Sequence, residues 1–584
     1  MPSIVLPDNK VESAARNVSA GFRPSFIFAL SMVLVCAAFL WLAFAISWTK
    51  FSRAEIFFAE CAREMVAFNN MVTPLYQGKP FFDKPIFVYW SIVAMYKTFG
   101  VSHLAARVPS MVASLATVSL TAFITRAIAR EKRDAAGLVA AMCLSSSFMF
   151  FSFAYLCMSD MFLVLFDSIT MTLLYLGLNN DRRRTALWLS AAVSMGFAFI
   201  TKGPVGVVLP AAAMLIFTAA TRRLSLIKWY HVICGALIVA IIAVPWFFAA
   251  YQANGTWALA WFFIRENFQR YAGSTYDTHK PLWFMVASLM SGFLPWSVFL
   301  PFAFVGMIKR FRSGGFMKTL SEAGPTGFNQ RLFFLWTWLA VVTAFFSLSR
   351  GKCDYYVLPI YPAAAVITAI YITEQSGKWS RAVALVIGGL VLVAGIASPL
   401  LLSSVAINST MAEWWLMPVV LIIFGSLALA AAASERLIAC IVAIFCAICF
   451  GGAGFAFQML PAVGEAQSFD LYANAMKNTP AYTQIGVHKD LGHWVDELTF
   501  QVERNPIELS DSKSISDFFA SGPGIALIPQ SAFDTALADS PALRDQPLRV
   551  LDRRMVASHP LTPGYVLQRH GNLYDTTLLL VSNQ

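Results

Sequence analysis

Charge is what this sequence has least of. Only 13% of its residues are Asp, Glu, Lys or Arg, about half the share of a soluble domain, which excludes an ordinary soluble enzyme. It also lacks zinc-type cysteine spacing: nine cysteines are scattered along the chain, and none lies beyond Cys449. Cys446 and Cys449 fall inside an apolar run, where small core residues are expected. Disulfides are therefore not expected to hold the C-terminal part together. His279, His493 and His570 stand alone in sequence, each read as a surface or capping residue. No Gly-rich phosphate fingerprint follows a strand-like run, no internal repeat recurs, and no long disordered linker interrupts the chain. The net charge of +11 comes without a basic stripe interleaved with stacking aromatics, so no nucleic-acid partner is expected.

What is present is a series of apolar runs. About thirteen windows of spanning character centre near residues 36, 117, 145, 169, 192, 211, 239, 295, 340, 364, 392, 423 and 448. The chain is thus expected to be a polytopic α-helical membrane protein. The first run, residues 25–47, has spanning length and follows about 24 polar residues, so no cleavable leader is expected. Cations cluster in alternate loops: Arg126/Arg130/Lys132/Arg133, Arg182/Arg183/Arg184, Arg222/Arg223/Lys228, Lys309/Arg310/Arg312 and Lys378/Arg381. These loops, with the segment 1–24, are assigned to the cytoplasm. An odd number of spans then puts the C-terminal segment, the loops 48–103 and 251–282, and the turns at Asp160, Lys202 and Lys352 on the other face.

Beyond residue 461 the composition changes. This tail carries nine Lys/Arg against fourteen Asp/Glu, the reverse of the whole chain's balance. Short β-like runs (483–487, 525–529, 565–569) alternate with helix-like stretches, predicting a small soluble α/β domain over 461–584.

The loop 48–103 is the most unusual stretch between spans. Ser52 and Glu55 fit a capping box, and Phe57, Phe58, Cys61, Ala62, Met65, Val66 and Phe68 form one face of a helix over 53–69, with Glu60, Arg63 and Glu64 on the other. This pattern predicts a helix lying in the membrane interface with its polar face in water. A second helix is expected from near Pro85 towards Tyr96. Ionisable groups at a membrane edge are costly and point to function. Glu55 either only caps its helix or also handles a proton, and Asp160 either caps the next span or belongs to a site. Lys84, Arg63, Lys202, Arg270, Arg350 and Lys352 either contact headgroups or form a basic cradle for a phosphate. Asp83 and Glu266 offer oxygen ligands to a divalent cation, and Trp90, Trp261 and Trp283 fit an interfacial aromatic belt.

An ordered set of motifs then points to a family. AECAREM (59–65), VTPLYQGKPFFDKPIFVYW (72–90), AARVPS (105–110), Asp160, TKGPVGVVLP (201–210), RENFQRY (265–271), SGFLPW (291–296) and SRGKCDYYVLPIYPA (349–363) together resemble the GT-C type lipid-linked-sugar glycosyltransferases. The similarity covers residues 25–460, and the nearest pattern is that of lipid A aminoarabinose transferases in the protein mannosyltransferase superfamily. The resemblance implies an inner-membrane enzyme that moves a sugar, with inversion, from a polyprenyl-phosphate donor to a periplasmic acceptor such as lipid A. It implies Glu55 and Asp160 as catalytic carboxylates, and Lys84, Arg270, Lys202 and Lys352 as donor-phosphate ligands. Arg63, Asp83, Tyr89 and Glu266 would support the acceptor or sugar site, and a divalent cation is a possible cofactor.

The chain departs from the family pattern at several positions. Ala54 stands where the family has the Asp of an Asp-Glu pair. Phe81 and Asp83 stand where it has Tyr and Glu, and Asn267 where it has His. The donor sugar is left open by these changes. Alternatives are transfer to a protein Ser/Thr or another envelope glycan, an inactive carrier-binding protein, or a transporter, whose inverted repeats the sequence does not show.

Overall fold

Twelve of the thirteen apolar windows are centred on helices, and the one at residue 295 falls on the bend between two helices. The computed structural model describes residues 23–48, 50–273, 280–314, 328–375, 377–403, 415–466, 470–556 and 576–583. His279, His570, the β-like run 565–569 and residues 1–22 lie outside them. Among the described residues, ten helices are long and apolar enough to span a membrane, or up to twelve if each of two bent pairs is one span; Val205–Ala220 is a shorter apolar helix. The helices that position the site are α1 (Pro24–Ser47), α2 (Arg53–Ala67), α3 (Phe87–Phe99), α4 (His103–Ile128), α5 (Asp160–Leu178), α6 (Arg184–Lys202) and α7 (Trp229–Asn254).

The solvent of this bundle is lipid. On α7, Ala243, Trp246, Phe247 and Ala250 are buried, while Ile233, Leu237, Ile241 and Val244 face outward. An apolar face of that length has no place in water but matches a hydrocarbon surface. Inside, serine and threonine hydroxyls close on their own helices: Ser114, Thr117, Thr121 and Thr125 each donate to the carbonyl four residues back. That satisfies polar groups which lipid cannot.

Between α1 and α4 the chain forms α2, a two-stranded hairpin of β1 (Leu75–Tyr76) and β2 (Lys79–Pro80), and α3. Ser52 and Glu55 do form a capping box at the start of α2. The polar face of that helix is not in water, however. Glu60, Arg63 and Glu64 are buried; Arg63 makes two bonds to Glu60, and the Gly78 N–H donates to both Glu64 oxygens. The expectation of a solvated face fails because the hairpin covers Glu64 and the C-terminal segment lies against α2.

That segment folds around a five-stranded sheet in the order β4–β3–β5–β7–β6, with β3 (Gln484–His488), β4 (Ile507–Leu509), β5 (Gly524–Pro529), β6 (Arg549–Val556) and β7 (Thr576–Ser582). β3 runs parallel to β4 and β5; β7 runs antiparallel to β5 and β6. β5 is buried along its whole length, as a continuous apolar run in a central strand should be. Ile525 and Leu527 pack with Tyr472, Met476 and Leu498 on one face, and Ala526 and Ile528 with Phe518 and Phe533 on the other. Helix α8 (Gly492–Val502) of this domain rests on α2.

Candidate active site

Asp160 is in the first turn of α5 and Lys202 in the last turn of the antiparallel α6. Each end of a helix favours the charge it carries here, and the two side chains form a nearly buried ion pair. The Lys202 ammonium also faces the rings of Tyr355 and Tyr356, at 5.5 and 5.9 Å from their centroids. Gly203 follows with φ +83°, and a Cβ there would lie 2.7 Å from the Phe262 ring. Glycine thus serves twice, for the left-handed backbone and for the close approach of the next element.

That element is a π-helical turn, Trp261–Gln269. Its i→i+5 winding brings residues four and five apart to one side. Trp261, Phe262, Arg265, Glu266, Asn267, Arg270 and Tyr271 consequently line one cavity. Glu266 pairs with Arg270 at 3.3 Å, and the Arg265 guanidinium stacks on Trp261 at 3.8 Å.

The loop after β2 supplies the opposite wall. Lys84 Nζ bonds to Asp83 Oδ2 at 2.8 Å. Burial by itself would raise the Asp83 carboxyl, but the Lys84 charge, hydrogen bonds with Glu266 and Lys84, and the Arg270 charge outweigh it and hold it at about 2. Asp83 thus stays an anion at any physiological pH.

Together these elements enclose a cavity of about 520 Å³, lined by Asp83, Lys84, Asp160, Lys202, Glu266 and Arg270 among aromatic walls that include Phe57, Phe81, Trp261, Tyr355 and Tyr356. Six of the ten residues to which the resemblance assigns a role therefore meet in one place. Four do not. Lys352 is buried and donates to the Lys280 carbonyl at 2.9 Å, so the chain turns its ammonium away while Ser349 and Gly351 line the wall. Arg63 is held by Glu60, and Tyr89 is buried beside Phe58; neither lines the cavity.

Glu55 is the fourth. Its Oε1 accepts from Arg107 Nε and from the Cys157 N–H, both at 3.0 Å, and its Oε2 accepts from the Ser52 N–H at 2.9 Å. Arg107 also donates to the carbonyls of Ala45, Trp48 and Lys50. Both side chains are fully buried, forming a satisfied ion pair that ties α1, α2, α4 and the turn at Cys157 together. Ala54, one residue earlier, faces the cavity. Of the Asp-Glu pair in the resembling family, this chain keeps the member that turns inward and lacks the one that faces the cavity.

Sequence reasoning passed over Arg265, Tyr355 and Tyr356. The tyrosines stood in the motif at 349–363, and their adjacency to a cation-rich turn was the available signal. Among the described residues, no group of three or more His, Cys, Asp or Glu side chains is placed to hold a metal ion.

This is the fold of a GT-C glycosyltransferase. The family model described as dolichyl-phosphate-mannose-protein mannosyltransferase matches residues 83–248. The crystal structure of ArnT from Cupriavidus metallidurans bound to undecaprenyl phosphate superposes with a TM-score of 0.70 at 21% identity, over 96% of this chain and 98% of that one. In sequence, the chain resembles the undecaprenyl phosphate-alpha-4-amino-4-deoxy-L-arabinose arabinosyl transferase 2 of Proteus mirabilis, 27% identical over 59% of each chain. It is also similar to the corresponding transferase of Edwardsiella ictaluri, 26% identical over 59% of this chain and 60% of that one. The matched region spans about 60% of the length of these curated relatives.

Proposed function

We propose that the protein transfers a glycosyl group from a polyprenyl-phosphate carrier to a phosphate group of a lipid A-type glycolipid, on the periplasmic face of a bacterial inner membrane. The observation that carries this reading is the state of the cavity's carboxylates. Among the described residues, all three that line it are paired with cations: Asp83 with Lys84, Asp160 with Lys202 and Glu266 with Arg270. Glu55 is committed to Arg107 outside the cavity, and Ala54 offers no acid or base. A hydroxyl nucleophile needs a base matched to its task, and none of these groups is free to act as one. A phosphate monoester is already an anion at neutral pH, with a second pKa of about 6, and needs none.

The reaction then runs as a displacement with inversion. An acceptor phosphate oxygen forms a bond to the anomeric carbon, while the bond from that carbon to the carrier phosphate oxygen breaks. The carrier leaves as polyprenyl phosphate, taking the bonding electron pair. Lys84 and Arg270 face that oxygen and neutralise the charge gathering on it, and Lys202 lines the same cavity. Asp83 and Glu266 orient Lys84 and Arg270, and Asp160 holds Lys202 in place through their ion pair. The aromatic walls suit the flat faces of a sugar. The resemblance to arabinosyl transferases and to a structure that binds undecaprenyl phosphate supports the carrier; the altered residues at positions 54, 81, 83 and 267 leave the sugar open.

The test compares acceptors. Purified protein in lipid nanodiscs is given a polyprenyl-phosphate sugar with either lipid A or lipid A stripped of its phosphates, and products are read by mass spectrometry. Sugar should appear on phosphate-bearing fragments of the first and not on the second. Equal transfer to both would overturn the phosphate-acceptor reading.

A further inference from the structure

Two consecutive carboxylates of the C-terminal domain grip the loop that builds one wall of the cavity. On α8, Asp496 accepts hydrogen bonds from the Tyr76 hydroxyl and, at 3.0 Å, from Gln77 Nε2. Both donors sit on the β1–β2 hairpin. Glu497, its neighbour, accepts from the Phe51 backbone N–H at 3.0 Å, and its other oxygen lies 2.6 Å from His103 Nε2. Phe51 immediately precedes the residue that caps α2, and His103 opens α4. One turn of one helix thus holds the first loop at its start, its middle and its end.

Apolar contacts agree with the polar ones. Phe500, near the C-terminal end of α8, is buried in the core of the membrane bundle rather than in that of its own sheet. Its ring meets Phe51 edge-on at 5.0 Å and His103 at 5.3 Å. Phe51 in turn lies 5.4 Å from the Arg107 guanidinium, the group that holds Glu55.

From these contacts the path to the cavity is short. Tyr76 packs on Phe57 and Phe81 at 4.9 and 5.5 Å, and both rings are cavity wall. Asp83 and Lys84 follow Phe81 by two and three residues. A carboxylate that fixes the Tyr76 hydroxyl therefore fixes the rings against which the Lys84 loop is set. Glu497 is buried and Asp496 half-buried, and a carboxylate taken out of water at a domain contact is costly unless it is well paired; the first loop supplies Tyr76 and Gln77 to Asp496, and the Phe51 N–H and the His103 ring to Glu497.

We propose that Asp496 and Glu497 are positioning residues of the transfer site: the C-terminal domain completes the donor-phosphate site by holding the first loop in place. This inference rests on the reading of the cavity as the polyprenyl-phosphate site. It gives the domain a role in donor binding, distinct from any contact with the acceptor.

The experiment measures binding of undecaprenyl phosphate to the full-length protein in nanodiscs, together with donor and acceptor KM. Asp496→Ala and Glu497→Ala should each weaken carrier binding by about fivefold or more, the scale expected for losing a charged hydrogen bond. Donor KM should rise in step, with acceptor KM unchanged. Asp496→Asn and Glu497→Gln retain an acceptor oxygen and should return binding to within about twofold of wild type. A role limited to stability would lower Tm and leave the binding of folded protein unchanged. Lys84→Ala separates the two readings. If it leaves carrier binding intact, the cavity assignment fails. If it abolishes binding while folded Asp496→Ala and Glu497→Ala bind like wild type, the positioning role is overturned. Should the alanine variants not fold, Tyr76→Phe removes one hydroxyl and keeps the ring. Weaker carrier binding in that variant supports the proposal, and unchanged binding overturns it.

Discussion

Ala54 and Glu55 are separated by one helical step, about 100° of rotation, and that step decides what each can do. Glu55 points between helices, where Arg107 and two backbone N–H groups satisfy it. Removing one partner of a buried pair leaves the other charge stranded, at a cost on the order of 3–5 kcal/mol. Glu55→Ala should therefore sharply lower Tm and membrane yield, while turnover per folded molecule stays near wild type; a folded, inert variant would instead restore Glu55 to the chemistry. Ala54→Asp tests the complementary point, since it adds a carboxylate to the cavity wall. If the acceptor arrives ionised, kcat should change by less than about threefold, whereas a hydroxyl acceptor would gain on the order of a hundredfold from a new base. Asp83 makes a prediction about pH. Its carboxyl is depressed in the folded protein, so its contribution to stability is complete above the unfolded value of about 3.9 and is lost only as pH falls through about 2. The Tm difference between wild type and Asp83→Asn should accordingly be the same at pH 8 and pH 5, and a gap that narrows on acidification would contradict the assignment.

The π-helical turn makes its prediction as an element. It exists because one more residue is fitted into Trp261–Gln269 than α winding would take, and the extra residue is what lets Arg265, Glu266 and Arg270 share a face. Phe268 is 70% exposed and makes no contact that the cavity needs. Deleting it should return the segment to α winding and change how Arg265 and Glu266 present to Arg270, from five and four residues apart to four and three. Carrier binding should then fall by about tenfold or more, with the helix content of the protein unchanged by circular dichroism. Binding that survives the deletion would show that the winding is incidental. This element also marks where the sequence stopped being legible. Spans could be read because each is a long apolar run between polar loops, and the start of α2 could be read because Ser52 and Glu55 are local partners. Six site residues could be named because a cation or carboxylate at a membrane edge is anomalous wherever it occurs. The π turn could not, since residues 251–282 read as a loop between spans and π winding leaves no 3.6-residue period to find. Burial of Glu60, Arg63 and Glu64 was equally hidden, because the cover comes from a hairpin and from a domain more than 400 residues further along. Glu55 looked like a site residue for the same reason: Arg107, its partner, is 52 positions away.

Across the whole molecule, the cavity and the basic loops occupy opposite ends of the same helices. α5 begins at Asp160 and ends at Leu178, and the antiparallel α6 begins at Arg184 and ends at Lys202. Asp160 and Lys202 meet at one end. At the other, Arg223 donates to the Leu178 carbonyl, and Arg331 donates to the carbonyls of Ala127 and Ile128 at the end of α4. A helix of 19 residues is about 28 Å long, close to the hydrocarbon thickness of about 30 Å, so these two ends lie at opposite membrane surfaces. Loops rich in Lys and Arg remain in the cytoplasm during insertion. We propose on this basis that Arg182 and its neighbours lie inside, and the cavity outside with the domain that α8 joins to the first loop. The arrangement would let a carrier lipid present its headgroup in the same leaflet as a glycolipid acceptor. Cysteine labelling decides the orientation cleanly, because the C-terminal domain has no native cysteine and Cys234 is the exposed one among the nine. In a Cys234→Ser background, Asp545→Cys should react with a membrane-impermeant maleimide in intact spheroplasts, and Arg182→Cys only after the membrane is opened. The opposite pattern would turn the molecule over and put its cavity out of reach of any periplasmic acceptor.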